Sequence, residues 1–403
     1  MRYKLSAPAT LHTTIQLPAS KSISNRALIL HALAQGHIAP SNLSDCDDTR
    51  VMIKALDGNP GHIDILAAGT AMRFLTAYLS VTPGTRIITG TERMQQRPIR
   101  ILVDALRELG AQIEYAGKEG FPPLRITGTE LTGEEISLAG NVSSQYISAL
   151  LMIGPILKNG LRLNLTGEII SRPYINLTLQ LMKEFGADAA WSSESSITVR
   201  PGKYRDIPFT VESDWSGASY WYQIAALSPE AKIELLPRSY QGDSRGAEIF
   251  AKLGVHTTYT DQGVILTKMG TPVTCLKEDL VDIPDLAQTF VVTCCLMNIP
   301  FRFTGLQSLK IKETDRIQAL ITELNKLGYV VKDSILIWNG ERCEPASHPV
   351  IATYEDHRMA MAFAPAILRT PSIRIADPQV VSKSYPGYWE DLKQVGFGIE
   401  IEE

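Results

Sequence analysis

A chain of 403 residues with 44% hydrophobic and 20% charged side chains can bury a large core, and its length suggests two or three domains or lobes. Its formal charge of −4 argues against a nucleic-acid surface, so any anion site must come from locally gathered Lys and Arg. The longest apolar runs, around Ile147 to Leu157 and Phe290 to Phe301, fall short of a membrane span, and Met1 to Ser20 lack the apolar core of a signal peptide. The expectation is a soluble cytoplasmic protein. Five cysteines, Cys46, Cys275, Cys294, Cys295 and Cys343, form an odd set without CxxC spacing, which suggests buried, reduced thiols and neither a disulfide framework nor a zinc site.

In chain order, an N-terminal strand that could belong with the C-terminal half precedes the polar run Lys21-Ser22-Ile23-Ser24-Asn25-Arg26. Asp48-Thr49-Arg50 then opens a helix ending at Ala55-Leu56-Asp57-Gly58, and Ala68-Gly69-Thr70-Ala71-Met72-Arg73 begins an apolar helix. From here a helix end of the form apolar, x, x, apolar, Gly recurs. It closes at Gly110, Gly186, Gly254, Gly328 and Gly396, at intervals of roughly seventy residues. Gly suits a helix C′ position because φ > 0 is penalised by Cβ, so the period predicts duplicated βα-type units. The interval from Gly58 to Gly110 is shorter, as if the first unit has lost a strand pair.

The helices of this set also start alike, with Asp48-Thr49-Arg50, Gln96-Arg97-Pro98, Ser171-Arg172-Pro173, Asp243-Ser244-Arg245 and Asp315-Arg316. Pro and Asp or Ser are ordinary start signals, but capping does not explain the repeated arginine. Parallel helices would turn these N-termini and arginines to one anion-attracting surface. The densest charge is Lys312-Glu313-Thr314-Asp315-Arg316, between the strand-like Phe301, Phe303 and Leu306 and the helical spacing of Ile317, Leu320, Ile321 and Leu324. A lobe boundary is placed near Val211 to Asp214. The predicted lobes are 20–212 and 1–19 plus 213–403.

The ordered groups Lys21 to Arg26, Gly69 to Arg73, Arg97, Ser143 to Gln145, Ser171 to Tyr174, Ile283-Pro284-Asp285, Lys312 to Arg316, Asp356 to Met361 and Lys383 resemble the 3-phosphoshikimate 1-carboxyvinyltransferases over nearly the whole chain. The resemblance implies an α/β (α+β), two-lobed enolpyruvyl transferase-like fold of six βαβαββ-type units, the first shortened, with the active site in the cleft between lobes. It also implies transfer of the enolpyruvyl group of phosphoenolpyruvate to the 5-hydroxyl of shikimate 3-phosphate, in aromatic amino-acid precursor synthesis. No cofactor or metal is implied, and a monomer is expected. Both substrates carry a phosphate and a carboxylate, which calls for guanidinium forks and ammonium groups, while Asp and Glu can exchange protons.

By that resemblance, Lys21, Ser22, Arg26, Ser143, Ser144, Gln145, Ser171, Tyr174, Asp285 and Lys312 would hold shikimate 3-phosphate. Lys21, Gly69, Arg97, Gln145, Arg316, His357, Arg358 and Lys383 would surround phosphoenolpyruvate. Asp285 would deprotonate the 5-hydroxyl, Glu313 would protonate the methylene carbon, and Lys21 would assist. Read from the residues alone, Asp285 and His357 could instead cap helices, Arg73 could pair structurally, and Lys383 could be solvated. Two positions depart from the family pattern: Ala67 and Ser308 stand where it usually has Asn. The alternatives are a UDP-N-acetylglucosamine enolpyruvyl transferase, whose catalytic cysteine the loop Thr89 to Gln96 lacks, and a non-catalytic anion-binding protein of the same fold.

Overall fold

The computed structural model describes the chain apart from residues 59, 237–241 and 334–335. It divides into a continuous unit, Ala19–Val211, and a split unit made of Met1–Pro18 with Glu212–Glu403.

One motif builds both units. In the continuous unit, His62–Asp64, Gly84–Thr89, Leu124–Gly128 and Gln112–Tyr115 form a four-stranded sheet in that order, the first pair parallel and the rest antiparallel. The second sheet, Glu135–Ala139, Leu161–Thr166, Ser196–Val199 and Ala189–Trp191, repeats the pattern. A parallel pair needs a crossover, and the helices Gly69–Ser80 and Ser144–Ile153 supply it. Each sheet with its two helices is therefore a βαβαββ unit. Ahead of them lie the helices Lys21–Leu33 and Asp47–Leu56, and the segment between these two carries the isolated parallel bridge Ser41 to Thr210. Among the described residues no strand pair follows Leu56 before the next unit begins at His62.

The split unit contains the same motif with strands borrowed from the N-terminus. His12–Gln16 lies parallel to Lys232–Leu236 and starts one unit, while Arg2–Ser6 lies between Ile373–Ala376 and Gly398–Glu402 and completes the last. The remaining sheet has Leu276–Asp279, Phe301–Thr304 and Leu336–Trp338. These ladders bind the first eighteen residues to the C-terminal half.

Two kinds of helix follow from composition. Every residue of Trp215–Leu227 and of Ala287–Leu296 is buried, as expected for helices apolar on all sides. Arg100–Glu108 buries only Leu102, Val103, Ala105 and Leu106, one stripe against its sheet. The repeat glycines Gly110, Gly186, Gly254, Gly328 and Gly396 have φ of 102, 90, 84, 89 and 98°, the left-handed turn that sends each amphipathic helix back toward a strand. The thiols depart from expectation. Cys46, Cys294 and Cys295 are buried, whereas Cys275 is exposed where it leads into an edge strand and Cys343 is half-buried in a loop.

Candidate active site

In the continuous unit, side-chain bonds show that four helices begin at one level. Arg26, in the second turn of Lys21–Leu33, donates from Nε to Thr178 Oγ1 at 2.7 Å and from Nη2 to Ser148 Oγ at 3.2 Å, and Ser148 and Thr178 share a 2.8 Å bond. These residues lie in the second turns of Ser144–Ile153 and Arg172–Glu184. Gln145 Nε2 donates to Thr70 Oγ1 at 3.0 Å, pairing second residues of Ser144–Ile153 and Gly69–Ser80. Helices matched turn for turn run parallel, so four positive ends gather at one end of this unit. Lys21, Ser22, Gly69, Ser143, Ser144, Gln145, Ser171 and Tyr174 all lie in these first turns or their caps.

Lys21 Nζ is 3.2 Å from Asp48 Oδ2. Arg97 is buried with its guanidinium against Gly69, where a Cβ would sit 2.7 Å from Nη1. Arg26 is turned inward. Its remaining donors reach Ser22 O at 2.9 Å and Tyr174 O at 3.5 Å, and burial lowers its pKa to about 10. Arg73 is structural in the same sense, donating to Gly69 O at 3.1 Å and Pro98 O at 3.4 Å. Ala67 is half-buried in a turn whose polar needs are met elsewhere: Asp64 Oδ1 accepts from Leu66 N at 2.8 Å and Leu66 O accepts from Thr91 N at 3.0 Å.

The split unit carries the charged constellation. Arg316, 1% exposed, donates from Nε to Asp356 Oδ2 at 2.7 Å, from Nη1 to Asp285 Oδ1 at 3.0 Å and from Nη2 to Glu313 Oε2 at 2.8 Å. Lys312 Nζ lies 3.4 Å from Asp285 Oδ1, and Arg358 Nη2 donates to Asp285 Oδ2 at 3.2 Å. Burial alone would push the Asp285 carboxyl up, but Lys312, Arg358 and Arg316 outweigh it and hold this group well below the usual carboxylate range. Burial would likewise lower Arg316, yet Asp356, Glu313 and Asp285 keep its guanidinium firmly charged. His357 is buried beside Asp356, and Lys383 Nζ donates to Glu355 O at 2.8 Å.

Caps fall only partly where the sequence suggests. Asp285 sits in the 3-10 turn Pro284–Leu286 and caps nothing; the cap residue of the following helix is Leu286. Asp356 caps His357–Phe363 by accepting from Arg358 N at 2.9 Å, and Asp315 caps Arg316–Lys326. The repeated helix-start arginines do not all converge. Arg97 and Arg316 are buried, but Arg50 is exposed, Arg172 stacks on Trp191 at 4.2 Å and Arg245 lies near Glu278 at 4.0 Å.

The profile of one family, EPSP synthase (3-phosphoshikimate 1-carboxyvinyltransferase), matches residues 5–58 and 59–392. The chain belongs to this family. It is 73% identical to the 3-phosphoshikimate 1-carboxyvinyltransferase of Bacteroides fragilis, with all of both chains covered, and 36% identical to that of Tolumonas auensis over 96% of this chain and 97% of the other. The fold is similar to a solved EPSP synthase of Acinetobacter baumannii, with a TM-score of 0.77, 22% identity and coverage of 99% of this chain and all of the other. Membership of the EPSP synthase family thus agrees with the resemblance read from the motifs, and with the mixed helix and sheet architecture. No helix among the described residues is long and apolar enough to cross a membrane, and no group of His, Cys, Asp or Glu among them could hold a metal ion.

Two carboxylates of the split unit carry more than their sequence signals suggested. Asp356 read only as part of a polar triplet, and Asp243 only as a helix start. Asp243 is 2% exposed and accepts from the Ser216 hydroxyl; burial, reinforced by nearby Asp285, raises it to about 6. A folded pKa above the unfolded value means that stability is fully present below about pH 4 and is lost as pH rises through 6. The loss is about 3 kcal/mol. Asp243→Asn keeps an acceptor for Ser216 and removes that cost. The variant is expected to melt a few degrees above the parent at pH 7, with the gap narrowing toward pH 5; equal melting temperatures at both pH values would show that the Asp243 carboxyl is not raised above its ordinary range.

Proposed function

We propose that this chain catalyses transfer of the enolpyruvyl group of phosphoenolpyruvate to the 5-hydroxyl of shikimate 3-phosphate with release of phosphate, as a step of the shikimate pathway. The observation that carries the reading is the Asp285 cluster: a carboxylate held ionised by Lys312, Arg316 and Arg358, with Glu313 on the same arginine. The reaction adds the 5-hydroxyl oxygen to C2 of phosphoenolpyruvate while C3 gains a proton. The adduct then loses that C3 proton and phosphate to leave the enol ether.

In this reading Asp285 takes the hydroxyl proton. Three cations make it a weak base in the free protein, but two polyanionic substrates compete for those cations and restore its basicity. Glu313 delivers the proton to C3 and recovers one on elimination, assisted by Lys21. Shikimate 3-phosphate is held by Lys312 and by the first turns carrying Lys21, Ser22, Ser143, Ser144, Gln145, Ser171 and Tyr174. The inward guanidinium of Arg26 places Ser22 through its carbonyl. Phosphoenolpyruvate is held by Arg97, Arg316, Arg358 and Lys383, with Gly69, Gln145 and His357 beside them.

Purified protein supplied with both substrates is expected to release phosphate and form enolpyruvylshikimate phosphate, followed by phosphate assay and mass spectrometry. No turnover at millimolar substrate, with shikimate 3-phosphate still bound in calorimetry, would instead establish the non-catalytic reading. The UDP-sugar alternative is disfavoured because the Thr89 to Gln96 loop, which carries the short helix Glu92–Gln95, has no cysteine.

Gly69→Ala tests the Arg97 assignment. Its Cβ would displace the guanidinium end from 2.7 Å, weakening a charge-assisted bond worth roughly 1.5–3 kcal/mol. The KM for phosphoenolpyruvate is expected to rise at least about tenfold, with the KM for shikimate 3-phosphate little changed; an unchanged phosphoenolpyruvate KM would remove Arg97 from that role.

A further inference from the structure

We propose that Glu323 is a positioning residue: from two turns beyond Arg316 on the same helix, it fixes the turn at 352–356 that presents Asp356, Arg358 and the docking point of Lys383. The inference rests on the reading that Arg358 and Lys383 hold phosphoenolpyruvate.

Glu323 is fully buried in the helix Arg316–Lys326, on the face that Leu320 and Leu324 make apolar. Among the described residues, its carboxylate bonds hold this segment directly or through Lys326. Oε2 accepts from Ala352 N at 3.0 Å and Oε1 from the Tyr354 hydroxyl at 2.6 Å. Oε2 also accepts from Lys326 Nζ at 2.6 Å, and that ammonium donates to Val350 O at 2.9 Å. Burial, helped by the carboxylate itself, pushes the Tyr354 hydroxyl up to about 12, so it remains a donor at neutral pH.

The segment so held is strained. Tyr354 and Glu355 are consecutive non-glycine residues with φ of 53 and 56°, a left-handed pair in which each Cβ crowds a carbonyl. Such backbone persists only where the surroundings over-determine it. Its output is specific: Glu355 O accepts from Lys383 Nζ at 2.8 Å, Asp356 N donates to Thr353 O at 2.8 Å, and the Asp356 carboxylate holds Arg316 Nε at 2.7 Å. One helix therefore grips the turn twice, through Arg316 at Asp356 and through Glu323 at Ala352 and Tyr354. A buried charge is a poor source of stability compared with an apolar residue of the same volume, so its value here is geometric.

Tyr354→Phe and Glu323→Gln in the full chain test this. The first deletes one hydroxyl; the second keeps the shape but replaces an acceptor with an amide donor. Glu323→Gln is expected to raise the KM for phosphoenolpyruvate about tenfold, and Tyr354→Phe severalfold, with the KM for shikimate 3-phosphate within about threefold of the parent. Tyr354→Phe should melt within about 2 °C of the parent, which separates positioning from folding. Lys383→Ala is the control for the underlying reading. If Lys383→Ala raises the phosphoenolpyruvate KM while both other variants leave it within about twofold, or lower only the melting temperature, the positioning role is overturned. If Lys383→Ala itself has no effect, the site assignment fails and the inference falls with it.

Discussion

Glu313→Gln is expected to lower kcat by two or more orders of magnitude, the scale of a lost general acid, while binding of both substrates persists. The substitution is close to isosteric. The Gln side-chain oxygen can still accept from Arg316 Nη2, which now donates to Glu313 Oε2 at 2.8 Å, so the guanidinium retains its place between Asp285 and Asp356. What disappears is the ability to give and recover a proton. Phosphate release under saturating substrates measures kcat, and calorimetry with shikimate 3-phosphate checks that the site survives. Turnover within about tenfold of the parent would move the proton at C3 to another group, with Lys21 the next candidate.

Asp285→Ala is the second large effect, with an expected rate loss of about two to four orders of magnitude. It differs from the first in what happens to binding. Asp285 is the shared partner of Lys312, Arg316 and Arg358, at 3.4, 3.0 and 3.2 Å. Removing it leaves three cations facing one another without that carboxylate, so phosphoenolpyruvate should bind at least as tightly as to the parent. A variant that neither turns over nor binds would mean that Asp285 organises the site without acting as base.

Stability carries an independent signature of the same residue. Because the folded pKa of Asp285 is depressed, its contribution is present above the ordinary carboxylate range and is lost as pH falls through that range and below. The variant should therefore melt below the parent at pH 7, and the gap should close in acid. Denaturant titration at pH 7 and below pH 4 measures it.

Much of the architecture was legible because it depends on local sterics and periodicity. The helix-end glycines had to take φ > 0 wherever a helix turned into a strand, and all five do. The missing pair of the first unit was legible as a short interval before Gly110, and the described chain passes from Leu56 to the three-residue strand His62–Asp64 without it. Lys312 to Arg316 stood out because five charged or polar residues break the apolar pattern of the elements around them.

Partner choice was not legible. Arg26 carried a motif that suggested ligand contact, yet its guanidinium turns to Thr178 and Ser148, more than a hundred residues away, because three parallel helices close around it. Arg50, Arg172 and Arg245 matched Arg97 and Arg316 in sequence and not in environment. Glu323 left only a faint trace, an acid on the apolar face of its helix, with nothing to say that Tyr354 and Ala352 would meet it.

By itself the amino-acid sequence determined the helix-end repeat and the residue types available for chemistry, since these follow from short-range pattern and backbone conformation; the pairing of the N-terminal strands with the C-terminal half rests on ladders between residues more than two hundred positions apart. Only the tertiary structure decided which charges lost their water and which carboxylate each met. Those choices set whether Asp285 is held ionised or Asp243 is pushed toward neutrality, because an electrostatic energy depends on distance and burial rather than on order along the chain.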